Sequence, residues 1–159
     1  MTQKNDHAAR GYRVTVIRQD DGHALAETRS HHLKLNIKKG VGEAGFNAAE
    51  TLLAALGACI LTNVNAIGEK MRLQIDDARI EFDATRLDEP PALTEIRYKL
   101  IITSPEPPDK LAELHDLSVK WGTVTNTVIH GLTPRGTLVI EQPVHPDRPQ
   151  PGKTSPARS

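Results

Sequence analysis

The sequence predicts an α+β protein, with helices packed on antiparallel sheet. Two observations carry that prediction. Stretches of period-two apolar alternation open the chain and recur in its middle, and two long stretches of helical apolar spacing follow them. The order reads three strands, a helix, two strands, a second helix and a last strand, with no internal repeat.

The elements follow in turn. Tyr12, Val14 and Val16 alternate with Arg13 and Thr15, giving a first strand. Asp21-Gly22 is a hairpin turn signal before a second short strand. In the third strand Leu33, Leu35 and Ile37 share one face, and Lys34 and Asn36 the other. Residues 38–46 carry Gly40, Gly42 and Gly45 and read as a mobile loop. Their spacing follows a meander and lacks a Walker lysine, so a flexible connection is preferred to a phosphate cradle.

A helix is predicted over residues 47–70, with Asn47 as its cap and Glu50 closing a capping box. Its first half, including Leu52, Leu53, Leu56, Cys59 and Ile60, is apolar around nearly the whole circumference. Such a helix is expected to be buried on all sides, which a second subunit would help to achieve. Ala78, Ile80, Phe82 and Ala84, and then Ile96, Tyr98, Leu100 and Ile102, predict an amphipathic hairpin turning at Asp88-Glu89-Pro90-Pro91. Pro107 and Pro108 open a second helix carrying Leu111, Leu114, Leu117, Trp121, Val124 and Val128, with Gly131 beyond its end. Leu138 and Ile140 mark a last strand. Residues 1–10 read as a flexible N-terminus, 11–142 as one domain, and 143–159 as a disordered proline-rich tail.

The 159 residues are 38% hydrophobic and 25% charged, ordinary for a globular protein. Twenty basic and twenty acidic residues cancel, which argues against a nucleic-acid binder with a broad basic face. Aromatic residues make up 3%, too few for a base-stacking platform. No uninterrupted apolar run reaches the ~18 residues of a membrane span, and the first residues lack a secretory pattern. With one free thiol, the expected compartment is the reducing cytoplasm.

Cys59 is the only cysteine, so an intrachain disulfide is impossible. It reads either as a small core hydrophobe or as a reactive thiol. Standing about three turns into its helix, it gains little from the helix dipole, so activation needs a neighbour supplied by the fold or by a second subunit. Glu50 is half a turn out of phase and ~13 Å away along the axis, so its expected role is a helix cap or an interface contact. Arg29 and His32, with His31, cluster at the start of the third strand; a guanidinium could hold a thiolate and an imidazole accept its proton. His31 and His32 point to opposite faces and no other histidine pair has ligand spacing, so no metal site and no cofactor are expected.

The run Asn47-Ala48-Ala49-Glu50-Thr51-Leu52-Leu53-Ala54-Ala55-Leu56-Gly57-Ala58-Cys59 resembles the P-x-E-L-L-L-A-A-L-G-x-C signature of the OsmC/Ohr family. These are the osmotically inducible and organic hydroperoxide resistance proteins. Arg29-Ser30-His31-His32-Leu33 resembles the R-x-H-x-L strand of the OsmC-like branch, and the likeness covers about residues 12–141. The resemblance implies an intertwined homodimer whose antiparallel sheets wrap central helices. It also implies hydroperoxide reduction by two cysteines, the first becoming a sulfenic acid, the second resolving it, and a dithiol partner restoring both. Cys59 matches the first. The second belongs to a C-P-V stretch, and here Gly122 takes its place in Gly122-Thr123-Val124. Ala48 stands at the signature's proline and Ala49 at the activating glutamate of the hydroperoxide branch; no arginine is in register near Asp20-Asp21-Gly22. The family's disulfide cycle therefore cannot run within this chain. Two readings follow: a one-cysteine peroxidase that uses an external thiol or dithiol on organic hydroperoxides, or a non-catalytic dimer that holds a small apolar ligand or senses redox state. Neither involves nucleic acid or a membrane.

Overall fold

The computed structural model describes residues 11–39, 45–131 and 135–143. The expected N-terminal segment, the centre of the glycine loop and nearly all of the proline-rich tail lie outside the described residues. The chain divides into two compact units, residues 1–55 and 56–159, and the boundary falls inside the first helix.

In the first unit β1 (Thr15–Arg18), β2 (His23–Thr28) and β3 (His31–Asn36) form an antiparallel meander in the order β1-β2-β3. Asp20 builds the first turn: its carboxylate accepts from the backbone N–H groups of Gly22 and His23 at 2.7 and 2.8 Å. These bonds, led by that from Gly22, hold the carboxyl below the usual aspartate range. On β3 burial does not follow the apolar face. Leu33 and Ile37 are exposed, whereas Asn36 is buried and its Oδ1 accepts from the Lys38 N–H. The Phe46 carbonyl draws the backbone of Asn36 inward, accepting from its N–H at 2.9 Å. At Gly45 φ is +127°, and a Cβ there would lie 3.1 Å from the Lys34 carbonyl oxygen. Glycine is needed at that close crossing.

The helix α1 (Ala48–Met71) starts on a reciprocal capping box. The Glu50 N–H donates to Asn47 Oδ1 and the Asn47 N–H donates to Glu50 Oε2, both at 2.9 Å. That satisfies two of the donors that a helix start leaves orphaned. Within one chain only Leu56, Gly57, Ile60, Val64 and Gly68 are buried, a single stripe spaced by about one turn. Leu52, Ala54, Ala55 and Ala58 remain exposed. The uncharged stretch of residues 51–68 also makes α1 long and apolar enough to cross a membrane by length and composition alone, against the reading of uninterrupted apolar runs. Asn63 and Asn65 broke those runs without adding charge.

The second unit is built on β4 (Asp77–Asp88), β5 (Pro91–Thr103) and β6 (Arg135–Glu141), in the order β4-β5-β6. The β4–β5 hairpin is antiparallel and as long as the alternation predicts, with Ile96, Tyr98, Leu100 and Ile102 buried. β6 pairs with β5 in parallel, so this sheet is mixed rather than wholly antiparallel. A parallel return needs a long crossover, and helices provide it. The expected single second helix is in fact two, α2 (Pro108–Lys120) and α3 (Thr123–Val128), separated at Trp121-Gly122. Arg79 on β4 reaches across β5 and donates both terminal nitrogens to Glu141 on β6, at 3.0 and 3.2 Å.

The core of this unit lies between α1, the sheet and α2. Leu56, Ile60, Val64, Leu100, Ile102, Leu111 and Leu114 are fully enclosed, each contributing about 1.5–3 kcal/mol. Gly57 lets α1 lie directly on β4: a Cβ there would stand 3.0 Å from Phe82 and 3.1 Å from Ile80. Phe82 in turn tilts against Tyr98, and the Tyr98 hydroxyl and His115 Nε2 are 2.9 Å apart. Burial holds the His115 imidazole below its usual range, with Asp116 pulling the other way. The neutral ring is thus favoured.

Candidate functional site

Cys59 sits on α1, half-buried, at the point where the chain breaks between α2 and α3. Gly122 caps α3 with φ −79° and ψ 121°, an ordinary extended conformation open to any residue. A Cβ built on Gly122 would stand 3.2 Å from the Cys59 sulfur, 3.1 Å from Thr125 Cβ and 2.6 Å from Thr125 Oγ1. The thiol, the threonine hydroxyl and the vacant side-chain position of Gly122 therefore meet at one point.

Three hydrogen bonds fix this junction. Asn63, one turn after Cys59 on α1, donates from Nδ2 to the Ser118 carbonyl at 2.8 Å, tying the end of α2 to α1. The Asn126 side chain donates to the Lys120 carbonyl at 3.2 Å, tying α3 back to the end of α2. The Asn126 N–H donates to the Gly122 carbonyl at 2.8 Å and starts α3. Gly122 is thereby held against the thiol by side chains on either side of it.

Ser118 Oγ at the end of α2 is also buried without a partner, and the hydroxyl that faces the Gly122 position is that of Thr125. Thr125 is 2% exposed, and its Oγ1 has no hydrogen-bond partner. Leaving a buried hydroxyl unpaired costs about 1–3 kcal/mol. The sequence reading missed Thr125; the signal available was its place three residues after Gly122, one turn of a helix. Asn63 was missed as well, although it lies four residues after Cys59 on the same helix face.

Beside Asn63, an open groove of about 470 Å³ runs between α1 and α2. Asn63, Ala66, Ile67, Leu117 and Trp121 line it. Trp121, one of these lining residues, is 66% exposed.

The other candidates lie in the first unit or at its edge. Arg29 occupies the two-residue turn between β2 and β3 with φ +55°, exposed. His32 is exposed on β3, opposite Glu27, with Nε2 and Oε1 3.4 Å apart. Glu50 is engaged in the capping box. Among the described residues, no three His, Cys, Asp or Glu side chains gather into a metal-binding group.

The sequence pattern of the family described as OsmC-like protein matches residues 39–135. The chain belongs to that family, which groups it with hydroperoxide-resistance and stress proteins. Among curated relatives, a hydroperoxide reductase from Mycoplasma genitalium is 27% identical over 124 residues, covering 76% of this chain and 87% of the relative. Among solved structures, an OsmC-like protein from Mycoplasma pneumoniae superposes with a TM-score of 0.76 at 22% identity, covering 83% of this chain and 98% of the other. The organic hydroperoxide resistance protein OhrB of Bacillus subtilis superposes with a TM-score of 0.59 at 14% identity, covering 80% and 97%. These likenesses establish the fold.

Proposed function

We propose that this protein is a thiol-dependent hydroperoxide reductase that works with one cysteine. The observation that carries the reading is the meeting of the Cys59 sulfur with the open position of Gly122. In the resemblance drawn from the sequence, that glycine stands where a second cysteine would resolve the first. The likeness to a relative named hydroperoxide reductase supports the same chemistry. The Cys59 thiolate attacks the outer oxygen of an organic hydroperoxide. The O–O bond breaks, and the leaving alkoxide takes a proton to become the alcohol. The resulting sulfenic acid is attacked by an external thiol, releasing water and leaving a mixed disulfide. A second thiol equivalent, or the other arm of a dithiol, then frees Cys59. No group bound in the protein is needed for this cycle.

The exposed apolar residues of α1 support a homodimer in which a second copy covers them. A soluble cytoplasmic dimer is the reading that makes most use of a helix this apolar. Sedimentation equilibrium should return twice the mass of the chain; a monomer at micromolar concentration would remove this part of the proposal.

A second reading has one observation in its favour, the apolar groove beside Asn63. It makes the protein a non-catalytic carrier of a small apolar ligand or a redox sensor. One assay separates the two. With excess dithiol, the wild type should consume tert-butyl hydroperoxide and Cys59→Ser should not. Equal consumption by both, at the uncatalysed rate, would leave the binding reading.

A further inference from the structure

We propose that the Thr125 hydroxyl donates a hydrogen bond to the sulfur of Cys59 when that sulfur is ionised, and to the oxygen it carries once oxidised. The second half rests on the hydroperoxide reading of Cys59; the first half stands without it.

Two observations converge. Thr125 is 2% exposed and its Oγ1 lacks any partner, so the hydroxyl has a free donor in a place water does not reach. Both Oγ1 and the Cys59 sulfur lie within 3.2 Å of the point where a Gly122 side chain would begin.

The chemistry suits each group. In the resting structure the hydroxyl and the thiol share no hydrogen bond, and a neutral thiol is a poor acceptor. A thiolate, or an oxygen bonded to sulfur, is a good one, and donation to charge is roughly twice as strong as donation between neutral groups. When the thiolate attacks the hydroperoxide, sulfur loses two electrons and the O–O bond is reduced. The alkoxide leaves with the bonding pair and takes a proton from solvent, and the S–O–H group remains. Its oxygen has lone pairs for Thr125 to donate to. With no second thiol at position 122, that oxygen keeps its place until an external thiol arrives. Thr125 thus holds the oxidised sulfur for a partner reductant.

The test compares Thr125→Val, which keeps the shape and removes the hydroxyl, with Thr125→Ser, which keeps the hydroxyl. Two rates are measured for each on the full chain: alkylation of Cys59 by iodoacetamide, and trapping of its sulfenic acid after one equivalent of tert-butyl hydroperoxide. Because the hydroxyl is unpaired at rest, the valine variant should melt no lower than the wild type. If it does, Thr125→Ala is read in the same assays. Thr125→Val should be alkylated about threefold more slowly, the gain in thiolate being partly offset by its lower nucleophilicity. It should form the trapped sulfenic acid more slowly, and Thr125→Ser should restore both rates. Wild-type rates in Thr125→Val would overturn the proposal, as would a serine variant as slow as the valine. If the wild type does not react with hydroperoxide yet alkylation still follows the hydroxyl, the hydroperoxide reading fails and the pairing of Thr125 with Cys59 stands.

Discussion

Gly122→Cys is expected to turn a one-cysteine protein into a two-cysteine one. In a disulfide, the Cβ of one residue stands about 3 Å from the sulfur of the other. A Cβ at position 122 would already lie 3.2 Å from the Cys59 sulfur. The backbone there has φ −79°, so a side chain can be added without strain. The obstacle is Thr125, whose Oγ1 would lie 2.6 Å and whose Cβ 3.1 Å from that Cβ, so the threonine must give way. After one equivalent of hydroperoxide, the variant should lose both free thiols, and its mass should fall by two hydrogens. The introduced thiol is held beside the sulfenic acid, so closure needs no diffusional encounter. Dithiol-dependent turnover should then rise by about tenfold or more. Persistence of a trappable sulfenic acid in the variant would show that position 122 does not face the sulfur.

Gly136→Ala is expected to give the largest loss of stability. Gly136 on β6 is the register partner of Tyr98 on β5. A Cβ on it would fall 2.0 Å from Tyr98 Cζ and 2.3 Å from the hydroxyl oxygen, inside the ring's own volume. The ring has little freedom to withdraw. It is 5% exposed, stacked near Phe82, edge-on to His115 and hydrogen-bonded to it. Aromatic cover over a cross-strand glycine fixes the register of such a pair. Overpacking of this kind costs about 1–3 kcal/mol, and this site belongs at the upper end or beyond. Chemical denaturation checks it. Combining Gly136→Ala with Tyr98→Leu should cost less than the two single changes together, because the clash is shared. Strict additivity would mean that the ring does not cover the glycine.

The sequence was most legible where one local rule governs a segment. The cap of α1 follows from Asn47 and Glu50 alone, and the long hairpin follows from alternation at Ile96, Tyr98, Leu100 and Ile102. It was least legible where distant residues decide. Leu111 to Val128 keeps helical spacing straight through the break at Trp121-Gly122, because Asn63 and Asn126 fix that break from outside the periodic face. The direction of β6 cannot be read from Leu138 and Ile140, since a strand pattern carries no polarity. Asn36 shares a face with Lys34 and is buried, because the Phe46 segment crosses beside it.

The candidate site divides the same way. Cys59 stood out as the only thiol, and motif resemblance singled out Gly122. Thr125 sits in a polar run, Thr123-Val124-Thr125-Asn126-Thr127, where nothing local distinguishes it. Only the fold shows its hydroxyl buried and aimed at the point shared with the sulfur. Arg29 and His32 were chosen for their chemistry, and the structure gives His32 an acidic neighbour of its own in Glu27.

The central claim is that Cys59 is a working thiol and not a core residue. Intact mass after one equivalent of an organic hydroperoxide, with a sulfenic-acid trap present, tests it most directly. A rapid adduct, one per chain and mapped to Cys59, is the predicted result. An unmodified chain, with Cys59 also slow toward an alkylating agent, would contradict it.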